Sequence, residues 1–420
     1  MNPRGKVVLL TASHLCNNPR AVKEADALSA AGFEVEVLGW ITDRALHDED
    51  REIAGSRSWT FTLFANLLQN SSPNRLRSLA WRAERRLAFA LADTVGMQSA
   101  AQLGGWRKAL LAAARRCEAD LFIAHSAATM WVGTHLQREG RRVGVDMEDW
   151  FSREHPMPYP SALVARCEAE LLRGGTHATC TSLAMSRALA DEYKVAAPKV
   201  VYNAFSWASR ERLDGLTKDR SGGRRYSVHW YSQTMGEGRG LGDLLAALPH
   251  VAHDVEVHLR GALGREGRAW LDGRIPPQWR DRVHLHGLVS NAELPSRIAE
   301  HDIGFAGEMK TPPSRDVTVT NKILQYLLAG LAVVASDTRG QCEVAEGAPG
   351  AVFLYRSGEP LSLAAQLNRL LGSPDLLKTA KQAALTAARE RFCWERIAPL
   401  LVESVAAAVG PVPQGARSAG

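Results

Sequence analysis

No apolar run in this chain of 420 residues approaches the ~18 needed to cross a bilayer, so no membrane span is expected. Cysteine is scarce: the six present (Cys16, Cys117, Cys167, Cys180, Cys342, Cys393) are scattered, with no pair at CxxC spacing. That excludes a sequence-encoded zinc site or disulfide framework and leaves buried free thiols. No DxD-like pair stands beside a histidine at metal-ligand spacing, so no metal is expected. Charge of one sign is lacking as well. With 51 basic against 45 acidic residues the net charge is only +6, and no nucleic-acid partner is expected. No fine-grained repeat appears. The start, Met1-Asn-Pro-Arg-Gly-Lys6, runs straight into the short apolar run 7–10. That run is too short for a signal-peptide core, so a cytoplasmic location is expected.

What is present is an alternation. Strand signals (7–12, 33–38, 121–124, 143–145, 176–181, 199–202) are separated by helical ones, which predicts a parallel sheet. Asn18 is placed to cap the first helix with Pro19 at N1, Val22, Ala25 and Leu28 face inward, and Gly32 closes it. A polar stretch, 206–225, reads as a linker. A second alternating set follows at 227–231, 255–259, 283–286, 303–306, 331–335 and 351–354, then a helical tail from 361 to about 409 and a frayed end. The length also suits more than one core. The fold class is therefore α/β, two doubly wound parallel-sheet domains, with ligands beyond the carboxyl ends of the strands and a cleft where the domains face each other.

Residues 41–117 break the pattern. Leu76, Leu79, Ala80, Ala83, Leu87, Ala90 and Leu91 recur at helical spacing, while most of the arginines (Arg75, Arg77, Arg82, Arg85, Arg86) lie outside that stripe, and Trp59, Phe61, Phe64 and Trp81 are nearby. Two readings stand: a basic amphipathic surface that touches anionic lipid, or helices packed on the sheet with solvated arginines.

The strand ends carry the candidate chemistry. The first set has Ser13, His14, His125, Asp146, Glu148 and Asp149; the second has Ser232, Gln233, Arg239, Gly261, Gly287 and Glu308. His125 could orient or deprotonate an acceptor hydroxyl, or be a structural histidine. The acidic cluster could bind sugar hydroxyls or cap the segment that follows. Gly236, Gly238 and Gly240 let a loop backbone approach a ligand, with Arg239 set to grip a diphosphate. The segment 318–330 reads as a helix built to receive an anion. Thr320 or Asn321 caps it, Lys322 adds charge beside free N–H groups, Asn321 and Gln325 share a face, and Gly330 terminates it.

On these motifs the chain resembles a GT-B glycosyltransferase of the retaining, family-4-like kind (glycosyl transferase group 1). The similarity runs through Asn18-Pro-Arg-Ala-Val-Lys-Glu and the strand ending at His125. It continues in Arg239-Gly-Leu241, in Asn321-Lys322 with Gln325-Tyr326 and Ala329-Gly330, and in Arg391-Phe-Cys-Trp394-Glu395. Two positions that are usually glutamate in this family fall at Val317 and Gln325, leaving Glu308 or Asp316 for the donor sugar and an amide for the ribose; Ser232-Gln233 replaces a Gly-Arg pair. The resemblance implies an acceptor-side domain at 1–205 with a basic helical insertion at about 59–117. It implies a nucleotide-sugar domain at 206–392, and a last helix at 393–420 that crosses back to the first domain before a frayed tail.

The resemblance further implies transfer of a sugar from a nucleotide-diphosphate sugar to an acceptor hydroxyl, in glycan, polysaccharide or glycolipid synthesis, with no cofactor and no metal. His125, Arg239 and Lys322 would be catalytic. Ser232, Gln233, Gly238, Gly240, Gly261, Glu308, Thr320, Asn321 and Gln325 would bind the donor, and His14, Asp146, Glu148 and Asp149 would face the acceptor. The acceptor would be a glycan or a lipid-linked molecule, with peripheral contact at the inner face of an anionic membrane. A degenerate, non-catalytic membrane or partner adaptor, and a nucleotide-sugar epimerase, are the alternatives.

Overall fold

The computed structural model describes residues 4–67, 72–154, 160–214 and 225–410. Most of the expected linker and the tail after 410 therefore lie outside the described residues. The chain divides into two compact units. One comprises 1–181, 186–201 and 398–420; the other comprises 182–185 and 202–397.

The first unit holds a seven-stranded parallel sheet in the order β3-β2-β1-β4-β5-β6-β7. Its strands are β1 (Lys6–Leu10), β2 (Glu34–Ile41), β3 (Thr60–Asn66), β4 (Leu121–Ala124), β5 (Val143–Met147), β6 (His177–Cys180) and β7 (Lys199–Val200). β1 and β4 lie in the middle and are buried on both faces, which is why they read as unbroken apolar runs. Leu10 is registered against Ala124, so the loops after β1 and β4 leave the sheet side by side where the strand order reverses.

The second unit repeats the plan with six parallel strands in the order β10-β9-β8-β11-β12-β13. They are β8 (Tyr226–Thr234), β9 (Val255–Ala262), β10 (Val283–His286), β11 (Ile303–Ala306), β12 (Ala332–Ser336) and β13 (Val352–Tyr355). The order reverses between β8 and β11. The helix Asn321–Ala329 crosses from β11 to β12 and ends at Gly330, whose φ of 76° is the left-handed conformation a C-terminal glycine supplies. The doubly wound α/β class expected from the sequence is what the chain adopts.

Three expectations are corrected. The insertion does not begin as helix: residues 60–66 form β3, the edge strand on β2, and among the described residues helices follow at Ser72–Val95 and Arg107–Arg116, with a short 3-10 turn at Ala100–Leu103 between them. The helical tail is three helices, Pro360–Leu371, Pro374–Glu390 and Trp394–Val409. Prolines at the first position of two of them cost no hydrogen bond. Finally, the leucine stripe of Ser72–Val95 does not pack on the sheet. Leu76, Leu79 and Leu87 are 67%, 57% and 62% exposed, while Ala88 on the opposite side is buried. Among the described residues no helix is long and apolar enough to cross a membrane, and all six cysteines are free.

Candidate functional site

In the second unit, the chain leaving β8 turns through three successive left-handed residues: Gly238 (φ 93°), Arg239 (φ 51°) and Gly240 (φ 68°). A Cβ on Gly240 would lie 2.6 Å from the Gly307 Cα, so the turn is seated against the chain leaving β11. Trp230 Nε1 donates to the Arg239 carbonyl (3.3 Å) and fixes the turn from below. The Arg239 side chain is left exposed. A non-glycine residue with positive φ is uncommon and costs energy, so its placement needs that support. Gly261 lets the end of β9 approach this loop: its Cβ would meet the Ser232 carbonyl at 2.6 Å. Ser232 is half-buried and Gln233 exposed.

The helix Asn321–Ala329 starts beside this loop in charge if not in chain, since Arg239 and Lys322 repel each other electrostatically. Thr320 has the extended backbone of a cap, yet its hydroxyl makes no capping bond, and Oγ1 is buried without a hydrogen-bond partner. Asn321 is exposed. The side-chain cap expected from the sequence is thus not formed, which leaves the helix start open to another acceptor. Lys322 is buried, with Nζ 2.7 Å from Glu308 Oε1. Burial lowers the Lys322 pKa, Arg239 and Arg315 add to that, and Glu308 only partly offsets them. An ammonium has three donors, so one bond to Glu308 leaves others for a ligand.

Glu308 is itself held in place. Its N–H donates to Ser336 Oγ (2.8 Å) and its carbonyl accepts from Ser357 (3.1 Å). Asp316, the other acid weighed for the donor sugar, is committed to Arg339, accepting from its N–H (3.1 Å) and Nε (2.7 Å). Val317 is buried, and its carbonyl accepts from Ser182. Gln325 is buried and its side-chain oxygen accepts from Tyr231, so it does not share the exposure of Asn321 one turn earlier. Tyr231, Trp230 and Arg315 were not singled out from the sequence. Trp230 and Tyr231 are adjacent in β8, which is buried on both faces at Trp230, so they project to opposite sides of the sheet and no single alternation marks them.

In the first unit, the strand ends hold a buried charge network. Arg20 forks onto Asp146 (Nε–Oδ2 2.5 Å, Nη2–Oδ1 2.7 Å), and Thr179 donates to the same carboxylate (2.7 Å). Burial alone would raise the Asp146 carboxyl, but Arg20 overrides it and holds it well below the usual range. His125 has Nε2 2.9 Å from Glu24 and Nδ1 3.5 Å from Asp146. Burial would lower the imidazole; the two carboxylates outweigh burial and raise it. Lys23 is depressed to about 7 by burial and by Arg20. Arg20, Lys23 and Glu24 share one face of the helix Pro19–Ala30, a pattern legible in the sequence as i, i+3 and i+4 spacing. They were missed because the helix was read for its apolar face.

Three sequence candidates, His14, His125 and Asp146, are engaged within the unit. His14 has Nδ1 2.7 Å from Asp50, and its Nε2 accepts from the Thr42 N–H (3.1 Å), so both ring nitrogens are spent on tying the loop after β1 to the segment after β2. Asp146 and His125 are buried and act on each other. Glu148 and Asp149 follow β5 and are half-buried, and burial raises the Glu148 carboxyl.

Beside this network, at the carboxyl ends of β1, β2 and β4, lies a cavity of about 460 Å³. Its wall includes Ser13, Trp40, Trp81, Arg82, Arg85 and Ser126. Trp81, Arg82 and Arg85 come from the same helix whose leucines face outward. Indole faces and guanidinium groups are the surfaces that take a sugar ring and an anion respectively.

Comparison with known proteins agrees with this architecture. Residues 230–373 match the family described as glycosyl transferases group 1. Among solved structures, Anabaena HepE in complex with UDP-glucose is 18% identical, with 96% of this chain and 99% of that chain covered and a TM-score of 0.66. Sucrose-phosphate synthase from Thermosynechococcus elongatus is 15% identical, covering 95% and 97%, with a TM-score of 0.67. A putative UDP-N-acetylglucosamine 2-epimerase from Listeria monocytogenes is 13% identical, covering 96% of each chain, with a TM-score of 0.56. No curated protein matches the sequence.

Proposed function

We propose that this chain, which has the GT-B fold and carries a glycosyl transferases group 1 match over residues 230–373, is a retaining glycosyltransferase using a uridine diphosphate sugar. The observation that carries the reading is the meeting of Arg239, Lys322 and an uncapped helix start at the carboxyl ends of β8 and β11. Two cations and free N–H groups suit a diphosphate leaving group, whose growing charge they stabilise as the bond to the anomeric carbon breaks. The acceptor oxygen forms the new bond, and its proton passes to the departing phosphate oxygen. These residues do the work a metal would otherwise do. Gln325 and Tyr231 offer an amide and a phenol toward ribose hydroxyls. Glu308 holds Lys322 in place and would face the transferred sugar. The uridine base is supported by HepE, solved with UDP-glucose on the same fold.

The first unit supports an acceptor that is a sugar on an anionic carrier. The tryptophan and arginine wall suits a glycosyl phosphate or diphosphate. The outward Leu76, Leu79 and Leu87, flanked by Arg75, Arg77 and Arg86, suit an anionic membrane surface. His125, closed off between Glu24 and Asp146, positions the strand ends rather than touching the acceptor.

The test is turnover of labelled UDP-glucose and UDP-N-acetylglucosamine with and without a lipid-linked sugar diphosphate. Acceptor-dependent UDP release supports transfer. Conversion of the sugar without acceptor supports the epimerase reading, for which the Listeria neighbour is the precedent in fold. Vesicle binding with neither reaction supports the adaptor reading, whose observation is Val317 and Gln325 in place of acids.

A further inference from the structure

Five of the chain's 13 histidines touch one another in the second unit. Parallel pairing places His229 of β8 beside His258 of β9, and His258 beside His284 of β10. Glu256 precedes His258 by two residues and so projects from the same face of the sheet. The result is a carboxylate and two imidazoles at the amino ends of β9 and β10.

We propose that Glu256, His258 and His284 bind one divalent transition-metal ion of the zinc type. His258 Nε2 lies 3.5 Å from Glu256 Oε2, and His284 Nε2 lies 3.9 Å from Glu256 Oε1. All three ligand atoms fall within 4.8 Å of one another. Ligands at 2.0–2.1 Å from a tetrahedral zinc are about 3.3 Å apart, so small side-chain rotations close the triangle. His284 Nε2 is buried and makes no hydrogen bond, so it is available as a ligand in its neutral Nδ1–H form.

The surroundings fit a metal more closely than they fit a plain polar patch. His258 Nδ1 lies 3.0 Å from His286 Nε2. With Nδ1–H donating there, the His258 Nε2 lone pair is directed at Glu256, the arrangement by which an outer partner fixes a ligating imidazole. His301 backs His258 at 4.6 Å, and His229 stacks on His301 at 4.5 Å and 8°. The three ligands are half-buried, which leaves the remaining coordination position to water. Two nitrogens and one oxygen select zinc, cobalt or nickel over magnesium and calcium, which want oxygen alone. A competing cation, Arg225, is 3.7 Å from Glu256 and closer to Asp254 (2.5 Å). A bound ion would tie edge strand β10 to β9. This departs from the sequence expectation of no metal, because that expectation searched neighbours in sequence, and His258 and His284 are neighbours only through strand register.

The test uses the untagged full chain, titrated with Zn²⁺, Co²⁺ and Mg²⁺. The readouts are thermal midpoint and, for Co²⁺, visible ligand-field absorption. The expected result is one Zn²⁺ or Co²⁺ per chain at micromolar concentration, a raised midpoint, and no response to Mg²⁺. His284→Asn, a polar replacement at a half-buried position of the edge strand, should fold normally and lose the cobalt spectrum. His258→Ala should do the same, and His286→Ala should weaken binding about 10–100-fold. Equal binding by wild type and the folded His284→Asn protein, no binding at all, or an equal response to Mg²⁺ would each overturn the assignment. None of these readouts depends on glycosyl transfer.

Discussion

Lys322 Nζ and Glu308 Oε1 are 2.7 Å apart, and both side chains are buried at the carboxyl ends of the second sheet. Removing Glu308 strands the Lys322 charge, and removing Lys322 leaves buried Glu308 only the longer contact to Arg315 Nη1 at 3.7 Å. Lys322→Met should therefore destabilise the chain by about 3–5 kcal/mol, the usual result of breaking a buried pair. The double variant Lys322→Met/Glu308→Leu should recover most of that loss in urea unfolding. It should not recover donor turnover. If the double variant were fully active, the pair would be structural only.

Gly240 should be intolerant for a backbone reason. Its φ of 68° and the 2.6 Å approach to Gly307 leave no room for a Cβ. Gly240→Ala should cost about 1–3 kcal/mol by denaturant unfolding and reduce UDP affinity, because the Arg239 turn would shift. Gly238→Ala is the contrast. It shares the positive φ but meets nothing within 4 Å, so only the smaller conformational cost applies.

The buried network of the first unit sets a pH window. The Asp146 pKa is depressed by Arg20, so its contribution is complete above about pH 4 and is lost as pH falls through the lower folded value. The His125 pKa is raised by Glu24 and Asp146, so its contribution is complete below about pH 6.5 and is lost as pH rises through the higher folded value. Asp146→Asn and His125→Gln should each destabilise most between about pH 4 and 6.5. The first difference should shrink on acidification and the second on alkalisation. A pH-independent difference for either variant would contradict the linkage.

The outward stripe predicts lipid binding. The full chain should co-sediment with phosphatidylcholine–phosphatidylglycerol vesicles and not with phosphatidylcholine alone. Leu76→Ser/Leu79→Ser/Leu87→Ser should weaken this more than tenfold, since each leucine contributes on the order of 1.5–3 kcal/mol when buried. Added salt should weaken it too. Folding should be unaffected, because these side chains are more than half exposed. Unchanged sedimentation by the triple variant would remove the stripe from the account.

Local features were readable from the chain itself. The helix Asn321–Ala329 with its terminal Gly330, the Pro19 start and the apolar runs of β1 and β12 all follow from short-range periodicity and turn chemistry. The stripe of Ser72–Val95 was readable as a stripe, but periodicity does not say which way it faces. β3 was obscured because Phe61, Leu63 and Phe64 break strict alternation, and an edge strand needs only one covered side. Relationships between elements were not readable. Lys322 meets Glu308 across 14 residues, and His284 meets His258 only through the register of β9 and β10. Thr320 had the identity and backbone of a cap, yet its hydroxyl is not used as one.

The central claim is that Arg239, Lys322 and the helix start at Thr320 receive a uridine diphosphate. The most direct measurement is calorimetric titration of the full chain with UDP, set beside Arg239→Ala. Arg239 is exposed, so its removal should leave folding intact. The account predicts saturable binding of one UDP by wild type and at least a tenfold loss of affinity in the variant, since a charged hydrogen bond contributes about 1.5–3 kcal/mol. Equal affinity of the two proteins, or no UDP binding by a well-folded wild type, would contradict it.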